Sequence, residues 1–132
     1  MELATGPERT IDGIADGREV VLGHPKTREA MRAGLAMYFV TLDDAALMQL
    51  ANAIVAELGI EHFFNIQLVG EHVIEINPRI STVVYQPDLN LPYLGVKRAL
   101  GEVGDEELAA LRTRIRPRRT ALRYFDQLEW DP

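Results

Sequence analysis

Residues 63–79 read Phe-Phe-Asn-Ile-Gln-Leu-Val-Gly-Glu-His-Val-Ile-Glu-Ile-Asn-Pro-Arg, and their alternation leaves few folds open to the chain. Successive side chains on a strand point to opposite faces. Phe64, Ile66 and Leu68 therefore share one face of a first strand over about 62–69, with Asn65 and Gln67 on the other. In a second strand, over about 73–79, Ile74 and Ile76 oppose Glu75 and Asn77. A three-residue turn at Gly70-Glu71-His72 sets Val69 against Val73, Gln67 against Glu75 and Asn65 against Asn77, so one carboxylate and three amides stand on one side. A two-residue turn would place Gln67 beside Ile74 and mix the faces, which a half-buried sheet resists. Such three-residue turns usually carry glycine last, whereas Gly70 comes first here. Pro78 has no N–H for a ladder, so pairing is expected to stop there, with Arg79 leaving the rim beside the polar group.

The polar face suits a hard cation. Mg²⁺ takes oxygen ligands, commonly one or two carboxylates with phosphates and waters. Glu75 offers anionic oxygen, Asn77 and Gln67 offer amide carbonyls, and the planar fork of Arg79 matches phosphate or carboxylate oxygens. The plainer alternative is a solvated strand face. Such faces favour Thr, Lys, Arg and Glu, whereas amides are depleted in strands.

Around this hairpin, residues 8–15 and 18–24 read as strands joined at Asp16-Gly17, a two-residue turn whose positions both need positive φ. Gly23, Pro25 and Gly34 bracket a loop holding Lys26, Arg28 and Arg32, and a strand follows over about 35–41. A helix over about 42–58 is capped by Thr41, with Asp44 three residues on, and stopped by Gly59; Leu47, Leu50, Ala51, Ile54 and Leu58 form its core stripe. Asn90 and Pro92 open a helix near 91–100, closed by Gly101. Asp105 caps a short helix through Leu111, and residues 120–130 read as a final strand. Together these predict an α+β domain with a mostly antiparallel sheet.

Composition narrows the function classes. At 132 residues with 47% apolar and 26% charged, the chain is of ordinary globular make-up and can bury a core. No cysteine is present, which excludes thiolate nucleophiles and cysteine metal sites. A net charge of -6 argues against a general nucleic-acid binder. The run Arg112, Arg114, Arg116, Arg118, Arg119, Arg123 has no interleaved aromatic to stack a base, and reads as a solvated or intersubunit surface. His24, His62 and His72 lack metal-ligand spacing and read as structural or solvated. Neither a signal peptide nor a membrane span is expected, so the expected location is cytoplasmic.

Asn65-Ile66-Gln67, followed by Val73-Ile74-Glu75-Ile76-Asn77-Pro78-Arg79-Ile80-Ser81, resembles the C-terminal signature of ATP-grasp enzymes. The likeness is greatest to the large subunit of carbamoyl phosphate synthase, and extends to biotin carboxylase and D-alanine–D-alanine ligase. It implies that Gln67, Glu75 and Asn77 hold Mg²⁺ (or Mn²⁺) bridging the phosphates of ATP, and that Arg79 is the catalytic contact to transferred phosphate or substrate. Met1-Glu2-Leu3 resembles the hinge meeting the adenine, with Glu2 near the ribose, and Arg32 falls where the family often contacts phosphate. Residues 8–17 and 92–101 resemble flanking family segments. The resemblance covers residues 1–104, read as the C-terminal subdomain of the ATP-grasp fold, with 105–132 an arginine-rich extension ending in a strand.

The family's phosphate-covering lysines and glycine-rich loop are not found in the sequence, and Asp88-Leu89 replaces the small residue and glycine usual before the later helix. The resemblance thus implies the Mg-ATP half of a carboxylate–amine ligase working through an acyl phosphate. Its partners would be ATP, a carboxylate substrate and the missing N-terminal half of the cleft, and the exposed half-cleft could pair copies into a homo-oligomer; nucleic acid and membrane are not expected. Two alternatives stay open: a non-catalytic nucleotide-binding or oligomerisation module derived from the same fold, and a plain scaffold with a solvated polar face.

Overall fold

The computed structural model describes residues 3–32, 34–80, 85–86, 89–123 and 129. Strands β1 (Glu8–Asp16), β2 (Val20–Thr27), β3 (Glu29–Arg32) and β4 (Leu35–Val40) precede helix α1 (Ala45–Leu58). The hairpin β5 (Glu61–Val69) and β6 (His72–Asn77) follows, then the short pair β7 (Tyr85–Gln86) and β8 (Leu89–Asn90). Helices α2 (Leu91–Ala99) and α3 (Asp105–Ala110), a 3₁₀ turn Leu111–Arg114 and β9 (Thr120–Leu122) complete the order. Among the described residues every pairing is antiparallel, in sheets ordered β2-β1-β5-β6, β3-β4-β9 and β7-β8. The chain has the expected α+β architecture.

The four-stranded sheet is covered on both sides. On one, Leu47, Ala51 and Val55 of α1 pack on Ile11, Ala15, Phe64, Ile66 and Leu68. On the other, Ile14 and Leu22 meet Leu91 of α2, Leu108 of α3 and Val103 from the connection between these helices. A bulge in β2 serves both: Ala15 pairs with Val20 and Ile14 with Leu22, so Val21 is the extra residue. Val20 joins the α1 side, while Val21 and Leu22 join the other. Gly95 lets α2 lie against Phe63, because a methyl at that position would overlap the aromatic ring.

Several local expectations change. Asp44, not Thr41, caps α1, its Oδ1 accepting from Leu47 N at 2.9 Å, and Gly59 ends the helix at φ 60 as expected. Thr41 instead anchors the arginine-rich segment, bonding the backbone of Arg116, Arg118 and Arg119. With their backbone tied down in this way, Arg116, Arg118 and Arg119 are exposed, whereas Arg123 is half-buried. Between β1 and β2 the loop is Gly17-Arg18-Glu19, and only Gly17 has positive φ. Asp16 Oδ1 closes it by accepting from the N–H groups of Arg18 and Glu19, which lowers the Asp16 pKa, Glu19 contributing most. Gly104, rather than Asp105, occupies the cap of α3, and Asp105 pairs with Arg98. The expected final strand begins as β9, while 124–128 and 130 lie outside the described residues. Among the described residues no helix is long and apolar enough to cross a membrane.

The hairpin keeps its expected cross-strand partners by another route. Val69 pairs with His72 across a two-residue loop, Gly70-Glu71, and Leu68 pairs with Val73. Gln67 nonetheless meets Glu75, because Ile74 is an extra, unpaired residue in β6. Gly70 has φ 58, the conformation that two-residue loops with glycine first require. Arg9 ties this loop to the start of α1, donating to Gly70 O at 2.7 Å and Asp44 Oδ2 at 2.8 Å.

Candidate functional site

Polar side chains collect on the sheet face opposite α1. Directly opposed residues in an antiparallel ladder share a side. Asp12 stands between His24 and Asn65, Thr10 between Lys26 and Gln67, Asn65 beside Asn77 and Gln67 beside Glu75. The face is graded in burial. Thr10, Asp12, His24, Lys26 and Asn65 are buried, Gln67 and Asn77 half-buried, and Glu75 exposed at the outer strand. The expected juxtaposition of Gln67, Glu75 and Asn77 is therefore present in the fold.

A buried ion pair anchors the inner part, with Lys26 Nζ 2.5 Å from Asp12 Oδ2. Burial lowers the Lys26 pKa, the Asp12 carboxylate opposes that shift, and Arg123 and Arg28 add to it. The ammonium also lies 5.4 Å from the centre of the Phe39 ring. Beside it, His24 is pushed down to about 4, chiefly by burial and then by the Lys26 charge, against an upward pull from Asp12. Neither His24 ring nitrogen has a hydrogen-bond partner among the described residues, so the imidazole is neutral.

Amides carry the network outward. Asn65 Nδ2 donates to Thr10 Oγ1 at 2.7 Å and to Asp12 Oδ1 at 2.9 Å. Asn65 Oδ1 accepts from Gln67 Nε2 at 2.9 Å and from Asn77 Nδ2 at 3.4 Å. Gln67 Oε1 accepts from the Arg28 guanidinium, which also donates to Gly34 O at 3.2 Å and lies 3.8 Å from the Glu8 carboxylate. The Glu75 carboxylate makes no hydrogen bond or ion pair among the described residues.

This donor set fits a hard divalent cation. One exposed carboxylate stands beside two amides whose nitrogens are engaged with Asn65, which points their carbonyl oxygens away from it. Arg28 already seats a positive group on one of those oxygens. The residues expected from the sequence are otherwise spread out. Arg79 lies past the end of β6, exposed, donating to Ile80 O at 3.1 Å. Arg32 ends β3 in the second sheet, paired with Leu35. Glu2 lies outside the described residues.

Thr10, Asp12 and Lys26 were not among the expected site residues. Their signal was the same two-residue alternation that marked the hairpin: Thr10 and Asp12 flank Ile11, and His24 and Lys26 flank Pro25. Pro25 and the neighbouring glycine suggested a loop, but β2 runs through Pro25 to Thr27 as a sheet-edge strand, where proline is tolerated. A family model described as ATP-grasp in the biosynthetic pathway with Ter operon matches residues 1–121. No curated protein matches the chain.

Proposed function

This chain belongs to the ATP-grasp family, whose members are in general ATP-dependent ligases, and we propose that its polar sheet face is the cation and phosphate half of such a ligase site. The family uses ATP with a divalent metal and a carboxylate substrate; the finer assignments that follow are our own. Glu75, Asn77 and Gln67 would hold Mg²⁺ through oxygens, and Arg79 would meet the transferred phosphoryl group from the rim of β6. Glu2 and Arg32 are assigned to the nucleotide. When bound, the cation would offset the negative charge of the ATP phosphates. The residues' own contribution would be placement: oxygens set side by side on paired strands and a planar guanidinium at the rim.

The reaction we assign is of the carbamoyl phosphate synthase type. A substrate carboxylate oxygen attacks the γ-phosphorus of ATP, the bond to the ADP oxygen breaks, and an acyl phosphate forms. A nitrogen nucleophile then attacks the acyl carbon and phosphate departs with the bonding pair. What supports this reading best is the register that brings Gln67 opposite Glu75 and Asn65 opposite Asn77, beside a carboxylate that has no partner among the described residues.

In the full protein, Glu75→Gln and Asn77→Ala should each lower ATP hydrolysis by about a hundredfold or more, with circular dichroism melting unchanged. Activity within a few-fold of wild type in both variants would remove the assignment. A second reading, a non-catalytic nucleotide-binding or oligomerisation module, is favoured by Arg28, which occupies an oxygen that the cation needs. On that reading both substitutions leave the protein's behaviour unchanged.

A further inference from the structure

We propose that Asp12, assisted by Thr10, is a positioning residue that decides which end of each amide on this face points outward, and so makes the face a set of oxygens rather than N–H groups. The inference rests on the cation-holding role of Gln67, Glu75 and Asn77. It adds a cause for the orientation of their amides, and it assigns Asn65 the role of a relay and not of a ligand.

An amide has a donor end and an acceptor end, and either can face a neighbour unless the neighbour allows only one. Asp12 allows only one. Its carboxylate can only accept, and one of its oxygens meets Lys26 Nζ at 2.5 Å, a donor with no acceptor capacity. Thr10 agrees with it. The Thr10 hydroxyl spends its proton on Ile66 O at 2.9 Å, which leaves lone pairs for Asn65. Both neighbours therefore demand the NH₂ end of Asn65, and they receive it at 2.9 and 2.7 Å. Asn65 is 3% exposed, so no solvent is at hand to reward the opposite orientation.

The constraint then propagates. With its NH₂ turned inward, Asn65 presents Oδ1 to the outer strands, and that oxygen can only accept. Gln67 Nε2 and Asn77 Nδ2 are drawn to it at 2.9 and 3.4 Å. Their carbonyl oxygens are left pointing away from Asn65, and the Gln67 oxygen already attracts the Arg28 cation. A buried ion pair several side chains away thereby sets the sign of the outer surface.

The full chain allows a test by near-isosteric change. In Asp12→Asn, Lys26 still demands an oxygen, so the new amide turns its NH₂ towards Asn65 and forces Asn65, then Gln67 and Asn77, to reverse. In Asp12→Asn with Lys26→Met that demand disappears, and Thr10 tips the position-12 amide back to presenting its oxygen. Side-chain amide proton exchange of Gln67 and Asn77, followed by NMR, reads the orientation directly, and titration with Mn²⁺ reads its consequence. We expect Asp12→Asn to speed exchange about tenfold and weaken Mn²⁺ about tenfold, and the double variant to recover both to within about threefold. Exchange unchanged in Asp12→Asn, or a folded double variant as impaired as the single one, overturns the proposal. If Asp12→Asn does not fold, Thr10→Val decides: about threefold faster exchange supports the idea and an unchanged rate refutes it. Absence of Mn²⁺ binding in wild type, or binding indifferent to Glu75→Gln, would sink the cation reading alone, because amide exchange still reports the orientation.

Discussion

His24 shows how a single side chain ties stability to pH. The ring is 1% exposed, both of its nitrogens lack hydrogen bonds among the described residues, and its pKa is pushed down to about 4. An unfolded chain's imidazole takes its proton near 6.5. Between those values the unfolded state holds more protons, so stability falls as pH drops through the window. The shift corresponds to roughly 3 kcal/mol lost between about pH 6.5 and 4. Urea unfolding across that range should show the slope, and His24→Leu, which removes no hydrogen bond, should flatten it. Individual residues were the least legible part of the sequence. Gln67 and Asn77 stood out because amides are unusual on strands, and Glu75 through its place among them, but His24, Lys26 and Asp12 take their character from neighbours far along the chain. No local pattern says that Lys26 meets Asp12 in the interior rather than water.

Secondary elements were easier to read, and the misreadings have physical causes. Alternation identified β5 and β6 and paired Gln67 with Glu75, because only that register keeps apolar residues off the polar face. The turn came out one residue shorter, with Ile74 making up the count. A sequence of alternating residues cannot distinguish a longer loop from a shorter one plus a bulge, and Gly70 in first place was the cue for the latter. Helix α2 illustrates a contact that no periodicity announces. Gly95 touches the Phe63 ring of β5 where any Cβ would collide. Gly95→Ala should therefore destabilise by about 2 kcal/mol despite the better helix propensity of alanine, as thermal unfolding can establish. A stabilising effect would mean that α2 lifts away from β5 at little cost.

At the level of the whole molecule, one sheet separates two apolar layers, and residues well beyond the hairpin complete the second. Leu108 is fully buried in the layer with Ile14 and Leu22, and Arg112 donates to the carbonyls of Val20 and Val21. Leu108→Ala should cost roughly 2–5 kcal/mol and leave a single unfolding transition, whereas a second transition would show that the 105–122 segment folds separately. The α+β class was legible because strand and helix periods are distinct along the chain. Which helix covers which face was not, since several stripes are interchangeable in composition.

The unpaired Ile74 also bears on how this molecule behaves in a crowd. Strand β6 borders its sheet among the described residues, and Ile74 and Ile76 are 51% and 36% exposed, so it presents a greasy ribbon edge to any passing chain. An inserted residue kinks and coils such a ribbon, spoiling the match with a straight newcomer. Removing Ile74 keeps Glu75 across from Gln67, so cation binding should survive. Light scattering at rising concentration should then reveal clumping that wild type avoids, and a deletion variant as monodisperse as wild type would show that the kink guards nothing.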